Sequence, residues 1–242
     1  MFSYALRVSY DGTEFSGWQI QANARTVQGE LTDAISKVLS QKTVITGAGR
    51  TDTGVHAFGQ IASFKSPRKL TGFEFLYSVN SILPFSISVS ELKEVPENFS
   101  ARFDAVSRVY YYFISHRKDP FNYKYSWYRY TQLDTKVLNE MSAYLPGRHD
   151  FSAFTKHAAE VENLMCNLKS VRWFKGKNLT FVRLEADRFL HGMVRSIVGT
   201  LIKYYQVPDS GNILTNILTE RDRTKAGESA PARGLFLYKI YY

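Results

Sequence analysis

The 242-residue sequence predicts an α+β protein built as two α+β halves that share a cleft. Three observations carry that expectation. The first hundred residues alternate strand-like and helix-like runs in the order β-α-β-β-α-β, the split arrangement of ferredoxin-like or RNP-like folds. A second series begins near Ser100 with an aromatic strand and mixes strands and helices in comparable order. Apolar residues make up 44% of the chain, so it is globular, and 242 residues fit one large domain or two of ordinary size. The expected division is residues 1–100 and 101–242.

The elements follow from local pattern. YALRVSY alternates as a strand and ends in the turn YDGT. From Val27 onward, apolar residues at 27, 31, 34, 35, 38 and 39 define one helix face, with Thr26 as its N-cap. A strand TVIT, the polar loop GAGRTDTGVHA and a strand QIASF come next. Thr71 with Glu74 three residues later reads as a capping box opening a helix through Asn80, and ISVSELKEV then alternates as a strand. In the second half, SRVYYYFIS is a long strand followed by the aromatic loop PFNYKYSWYRY. A helix is expected from Asp134 to Leu145, stopped by Pro146 and Gly147. LKSVRWF and LTFVRLEA flank GKN as a hairpin. RFLHGMVRSIVGTLIKYY is helical, with Met193, Ile197, Leu201 and Tyr204 on one side, and GLFLYKIYY is the last strand.

Composition narrows the function classes. Lys and Arg number 31 against 22 Asp and Glu, a net charge of +9. The excess concentrates in residues 165–205, where eight cations oppose Glu185 and Asp187. Sixteen Tyr and 17 Phe accompany it, several interleaved with cations in RVYYYFISHRKDPFNYKYSWYRY. Cations neutralise phosphates and aromatic faces accept unstacked bases, so a single-stranded or looped RNA is the partner this composition fits. The alternative is a basic protein whose aromatic strands fill its core. The single Cys166 excludes an internal disulfide and a cysteine-built zinc site. MFSYALRVSY lacks the pattern of a secretory signal, and no apolar run approaches a membrane span, so the expected location is the cytoplasm.

Candidate chemistry centres on RTDTGVH, residues 50–56. Asp52 is a carboxylate on a glycine-punctuated loop between two strands. It reads either as a nucleophile or base, or as a turn residue paired with Arg50 or a backbone amide. A nearby cation would keep it ionised even when desolvated. His56 lies four residues on, but the other histidines (116, 149, 157 and 191) show no metal-ligand spacing, so His56 is read as bracing the loop. Neither GxGxxG nor GxxxxGK[ST] occurs, so no nucleotide cofactor is expected and no metal is assigned. Arg195 sits mid-helix among apolar residues, where a cation is costly unless paired; it either snorkels to water or reaches an anion. Tyr110 either packs in the core or presents its ring to a flipped base.

Taken together, YDGTEFSGWQ at 10–19, TVQ at 26–28, GAGRTDTGVHA at 47–57 and ARF at 101–103 resemble the tRNA pseudouridine synthase A (TruA) family. RVYYY at 108–112, HDFSAF at 149–154, FLHGMVRSIVG at 189–199 and GLFLYKI at 234–240 continue the resemblance in order through almost the whole chain. The resemblance implies a cofactor-free isomerase that converts uridine to pseudouridine in the anticodon stem-loop of tRNA, at nucleotides 38, 39 and 40. It implies a cytoplasmic homodimer of two-domain subunits whose continuous, mostly antiparallel sheet carries a central catalytic cleft. Asp52 falls on the family's catalytic aspartate, and Tyr110 on the tyrosine expected to stack on the target uracil. Arg195 falls on the arginine expected to pair with that aspartate, and Leu235 on a leucine lining the base pocket. Arg50 and His56 complete the expected substrate-binding set. Thr53, Gly192 and the Cys166-Asn167-Leu168 run depart from the family pattern, which bears on RNA contacts rather than on the chemistry. A non-catalytic RNA-binding protein is the competing reading, and a metal-dependent hydrolase built on Asp52 and His56 a weaker third.

Overall fold

The computed structural model describes residues 1–156 and 158–242, so His157 lies outside the described residues. The chain forms two compact units, Met1–Val106 with Leu237–Tyr242, and Ser107–Phe236. Each is an α+β unit with a mostly antiparallel sheet.

The first unit runs β1 (Phe2–Tyr10), α1 (Val27–Leu39), β2 (Thr46–Gly47), β3 (His56–Ser66), α2 (Gly72–Ile82), β4 (Ile87–Val95). The expected β-α-β-β-α-β order is therefore present. Strand β1 lies between β4 and β3, antiparallel to both, and β2 pairs with β3 so that Ala62 faces Leu6 on one side and Gly47 on the other. Alternation in β1 puts Tyr4, Leu6 and Val8 in the core, where α1 adds Val27, Leu31 and Ile35 and α2 adds Phe75 and Val79. Tyr4, Phe64 and Phe75 stack in series at centroid distances of 5.8 and 5.5 Å. Thr26 caps α1, its hydroxyl accepting the Gly29 N–H at 3.2 Å.

Two local expectations in this unit need correction. TVIT is a strand only at Thr46. Before it, the Thr43 N–H is bound by the Ser36 hydroxyl at 3.0 Å and the Ile45 carbonyl by the Gln28 amide at 2.7 Å, so side chains replace ladder bonds. The Thr71–Glu74 capping box does not form: Thr71 occupies the N-cap, but its side chain makes no capping hydrogen bond. Helix α2 then runs to Ile82 and stops before Pro84.

The second unit runs β5 (Ser107–Ser115), β6 (Trp127–Tyr128), α3 (Thr135–Ser142), β7 (Gly147–Asp150), β8 (Met165–Lys175), β9 (Leu179–Ala186), α4 (Met193–Tyr204), α5 (Ser210–Glu220) and the start of β10 (Leu235–Tyr241). The antiparallel order is β5-β9-β8-β7, and β6 adds to β5 in parallel. The GKN hairpin joins β8 to β9 as expected. Asp134 caps α3 by accepting from the Lys136 and Val137 amides. Helix α4 begins at Met193 rather than near Arg188, because Gly192 takes a left-handed conformation with φ of 70°. Helix α5, which buries Leu214, Ile217 and Leu218, was not anticipated.

One device recurs in both units. The Asn80 amide on α2 accepts the Val89 N–H at 2.9 Å and donates to the Val89 carbonyl at 2.8 Å. The Asn139 amide on α3 does the same for Trp173, at 2.9 and 3.0 Å. Each asparagine pins one strand residue to a helix and satisfies both of its backbone groups. Replacing either by Ala strips two part-buried groups of their partner, so Asn80→Ala and Asn139→Ala should each cost about 1–3 kcal/mol. Urea unfolding checks this; a loss below about 0.5 kcal/mol, the range of ordinary surface changes, would contradict it.

Candidate active site

The Asp52 loop is held by backbone hydrogen bonds together with the buried side chains of Gln60 and Tyr10. After β2, the Ala48 N–H donates to Ile61 O at 2.8 Å, and the Gln60 amide, fully buried, donates to Gly49 O at 2.8 Å. Thr51 is fixed twice: its carbonyl accepts the Trp18 N–H at 3.1 Å, and its hydroxyl lies 2.8 Å from the Tyr10 hydroxyl in the interior. Residues 52–55 close a turn, with the Val55 N–H on Asp52 O at 3.1 Å. Gly54 supplies a φ of 76° at its third position, the requirement of a type II turn.

The segment YDGTEFSGW wraps the other side of this loop. A Cβ on Gly12 would lie 2.0 Å from Val55 O, and one on Gly17, whose φ is 85°, would lie 2.5 Å from Thr51 O. These two glycines let a second backbone run against the loop. Phe15 between them and Trp18 just after Gly17 are each 1% exposed, and the Trp18 ring lies over Gly47. Asp52 is therefore half-buried on a turn that its neighbours fix from both flanks, while Arg50 is exposed.

His56 is 1% exposed at the first position of β3. Its Nδ1 lies 3.1 Å from both the Gly12 N–H and Asp11 Oδ1. Only one of these can be a hydrogen bond at a time. The neutral ring with a lone pair on Nδ1 accepts from Gly12, and a ring protonated there donates to Asp11. In either state His56 ties the end of the loop to the YDGT turn. Among the described residues no three His, Cys, Asp or Glu side chains are grouped to hold a metal ion.

In the second unit, Tyr110 lies on β5 opposite Leu184, 8% exposed, with its ring edge-on to Phe189 at 5.2 Å. Arg195 is the third residue of α4. Its Nε donates to Ala230 O at 2.7 Å, and the Ala230 N–H donates to Arg195 O at 3.0 Å. This reciprocal pair places a strap, residues 226–231, along α4. A Cβ on Gly199 would fall 1.7 Å from Glu228 O, so glycine permits that approach. Tyr112, two residues from Tyr110 on the same strand, donates its hydroxyl to Pro231 O at 2.8 Å, fastening the strap to β5. Burial raises the Tyr112 phenol pKa strongly, against the opposing fields of Arg195 and Arg233. Leu235, 5% exposed, opens β10 just after this strap. Cys166 is buried and its thiol is pushed up to about 12 by burial, so it stays protonated.

The first unit thus collects Arg50, Asp52 and His56, and the second collects Tyr110, Arg195 and Leu235. The residues that sequence reasoning missed are the holders: Gly17, Thr51 and Gln60 around Asp52, and Gly199, Ala230 and Pro231 around Arg195. The glycines of YDGTEFSGW and SIVG were the available signal, since paired glycines flanking an aromatic mark close backbone approach.

The profile described as tRNA pseudouridine synthase matches residues 7–104 and 141–242. A protein of Brachyspira hyodysenteriae named tRNA pseudouridine synthase A is 38% identical over 246 residues, spanning 100% of this chain and 99% of that one. Proteins of the same name from Thermoanaerobacter sp. and Thermosipho africanus are 40% and 39% identical, covering 97% and 100% of each chain. Among solved structures, a chain of a Cbf5-Nop10-Gar1 complex aligns with 96% of this chain and 57% of its own length, at 10% identity and a TM-score of 0.39. The profile and the relatives of the same name, which match along both units, define an RNA-modifying enzyme class. The chain belongs to the tRNA pseudouridine synthase family.

Two outcomes follow from the geometry. Gly17→Ala adds a methyl group against Thr51 O at a positive φ, so stability should fall by about 1–3 kcal/mol in urea unfolding. A loss under about 0.5 kcal/mol would show that the close approach is not tight. For Tyr112, the folded pKa lies above the unfolded value of 10.0. Its neutral form therefore contributes fully below pH 10, and the folded state loses stability as pH rises above 10, where only the unfolded phenol ionises. Tyr112→Phe should flatten the fall in stability above pH 10 relative to the unsubstituted protein, measured by urea unfolding at pH 8 and 10.5. Equal slopes would contradict the assignment.

Proposed function

We propose that the protein isomerises uridine to pseudouridine in the anticodon stem-loop of tRNA, at positions 38, 39 and 40, with Asp52 as the catalytic carboxylate. The observation that carries the reading is the rigid presentation of Asp52 on a loop locked by Gly12, Gly17, Thr51 and Gln60. Family membership supplies the reaction class.

The reaction breaks the N1–C1′ glycosidic bond, turns the uracil and rejoins it through C5. The C5 proton is lost and N1 gains one, so no redox change occurs. The target base must leave its stack before an enzyme group can reach it, which costs a few kcal/mol and calls for an aromatic surface in return. Tyr110 is the proposed stacking ring and Leu235 the proposed lining of the base pocket. Asp52 acts on C1′, on C6 or on the 2′ proton; each route requires an ionised, immobile carboxylate. Arg195 is the proposed cation that holds it so, and the bonds fixing Arg195 Nε support a preset direction for that charge. Arg50, exposed beside the loop, is proposed to meet RNA phosphate, and His56 to brace the loop from below. In this reading residues 1–100 carry the carboxylate and residues 101–242 the stacking and pairing groups. The working form is a cytoplasmic homodimer, and a single-subunit mass by light scattering would count against that part.

Asp52→Ala should lower tritium release from tRNA carrying 5-tritiated uridine by on the order of 10⁴-fold or more, with tRNA affinity largely retained. Release at the unsubstituted rate would sink the assignment. A non-catalytic RNA-binding protein would release none with Asp52 in place.

A further inference from the structure

Residues 116–130 leave the sheet at the end of β5 and return as β6, where Ile114 pairs with Trp127 and Ser115 with Tyr128. The excursion is ordered from within. Asp119 accepts from the Phe121 N–H and the Asn122 amide, both at 2.9 Å, and Asn122 O accepts from the Tyr125 N–H at 3.0 Å and the Ser126 hydroxyl at 2.9 Å. Its ends are also tied. The Arg129 N–H donates to Ser115 O at 2.8 Å, and His116 contacts Arg129 O at 3.0 Å and the Thr180 hydroxyl at 2.7 Å. A loop so fastened still leaves Phe121 85% exposed, Tyr130 84% exposed and Tyr123 54% exposed. Bare rings on an internally bonded scaffold mark an interaction surface rather than a frayed segment.

The charge around those rings identifies the partner. The segment holds Arg117, Lys118, Lys124 and Arg129 against Asp119 alone, four cations minus one anion, or +3 with His116 neutral. The Asp119 carboxylate is turned inward onto its own loop. Arg117, Lys118 and Lys124 are exposed beside the rings. Helix α2 offers a contrast: Phe73 and Tyr77 stack on its surface at 81% and 69% exposure, yet residues 72–85 hold no Lys or Arg and one Glu. That face has nothing for a phosphate. The 116–130 face has both halves of a single-strand site: flat rings for bases and cations for the backbone.

We propose that residues 116–130 form a docking surface for an unstacked, unpaired stretch of the tRNA other than the base being isomerised. Phe121 and Tyr130 are the stacking platforms, and Arg117, Lys118 and Lys124 meet the phosphates. This rests on the reading of the chain as a tRNA-modifying enzyme, but its test uses binding rather than turnover. Filter retention of unmodified tRNA across a salt series should show roughly tenfold weaker binding for Phe121→Ala and again for Tyr130→Ala. Lys118→Ala and Lys124→Ala should each shallow the slope of log affinity against log salt by about 0.7. Phe73→Ala, with an equally exposed ring on α2, should bind as the unsubstituted protein does, and kcat at saturating tRNA should be unchanged in all of them. Affinity within twofold for the Phe121→Ala, Tyr130→Ala double variant would overturn the proposal. So would light scattering in which that variant loses a dimer while its tRNA affinity stays the same, because the rings would then belong to a protein contact. An unsubstituted protein that binds tRNA but releases no tritium would count against the isomerase reading alone.

Discussion

The close approach of two backbones at Gly12 and Gly17 is the constraint on which the Asp52 loop depends. Side chains are poor tools for positioning a short polar turn, because each added rotor must itself be held. Here the loop is gripped largely by peptide groups, Trp18 N–H on Thr51 O and Val55 N–H on Asp52 O, with the buried Gln60 side-chain amide added on Gly49 O. Such contacts need interchain spacings that a Cβ would violate, and Gly17 would place one 2.5 Å from Thr51 O. Phe15 and Trp18, buried beneath, supply the apolar area that offsets the entropy of ordering so much loop. The turn that carries the carboxylate inherits its rigidity from the two glycines, the buried tryptophan and the Gln60 amide.

The same economy governs Arg195. A cation near the start of a largely buried helix is expensive to place, and α4 solves this through backbone again. The strap at residues 226–231 offers its Ala230 carbonyl to Nε, and Gly199 makes room for the strap. Tyr112 then fixes the strap from β5. Both proposed charges thus sit on elements whose position is set by peptide contacts at glycine. A substitution at Gly17 or Gly199 would displace these elements without touching a charged group.

Much of this was legible in the sequence, for reasons tied to particular residues. The order of elements in the first unit follows from alternation in YALRVSY and from the 3.6-residue spacing after Val27, because burial there is decided by one face. Asp52 stood out because a charged residue between glycines has no core role. The misses share a cause: local signals lost to tertiary hydrogen bonds. TVIT has strand propensity, but Gln28 and Ser36 captured its backbone groups. RFLHG has helical periodicity, but Gly192 at φ 70° delays the helix to Met193. The Asn80 and Asn139 clasps were invisible because an asparagine in a helix reads as a weak helix former, and its strand partner lies nine or 34 residues away.

The net charge of +9 serves two ranges of distance, and salt separates them. Long-range attraction of a polyanionic tRNA acts through solvent and is screened beyond about 8 Å at physiological ionic strength. Phosphate contacts of the kind proposed for Lys118 and Lys124 share that sensitivity, since each would release condensed counterions on binding. A half-buried carboxylate on a locked turn is different. Over a few ångströms in a partly desolvated site, charges interact with little screening by salt. In the proposed mechanism, rising salt should therefore weaken capture of tRNA well before it alters the chemistry assigned to Asp52. In the proposed reading, that separation lets one basic protein hold a large anion through screened surface contacts while the proposed catalytic carboxylate stays fixed on its turn.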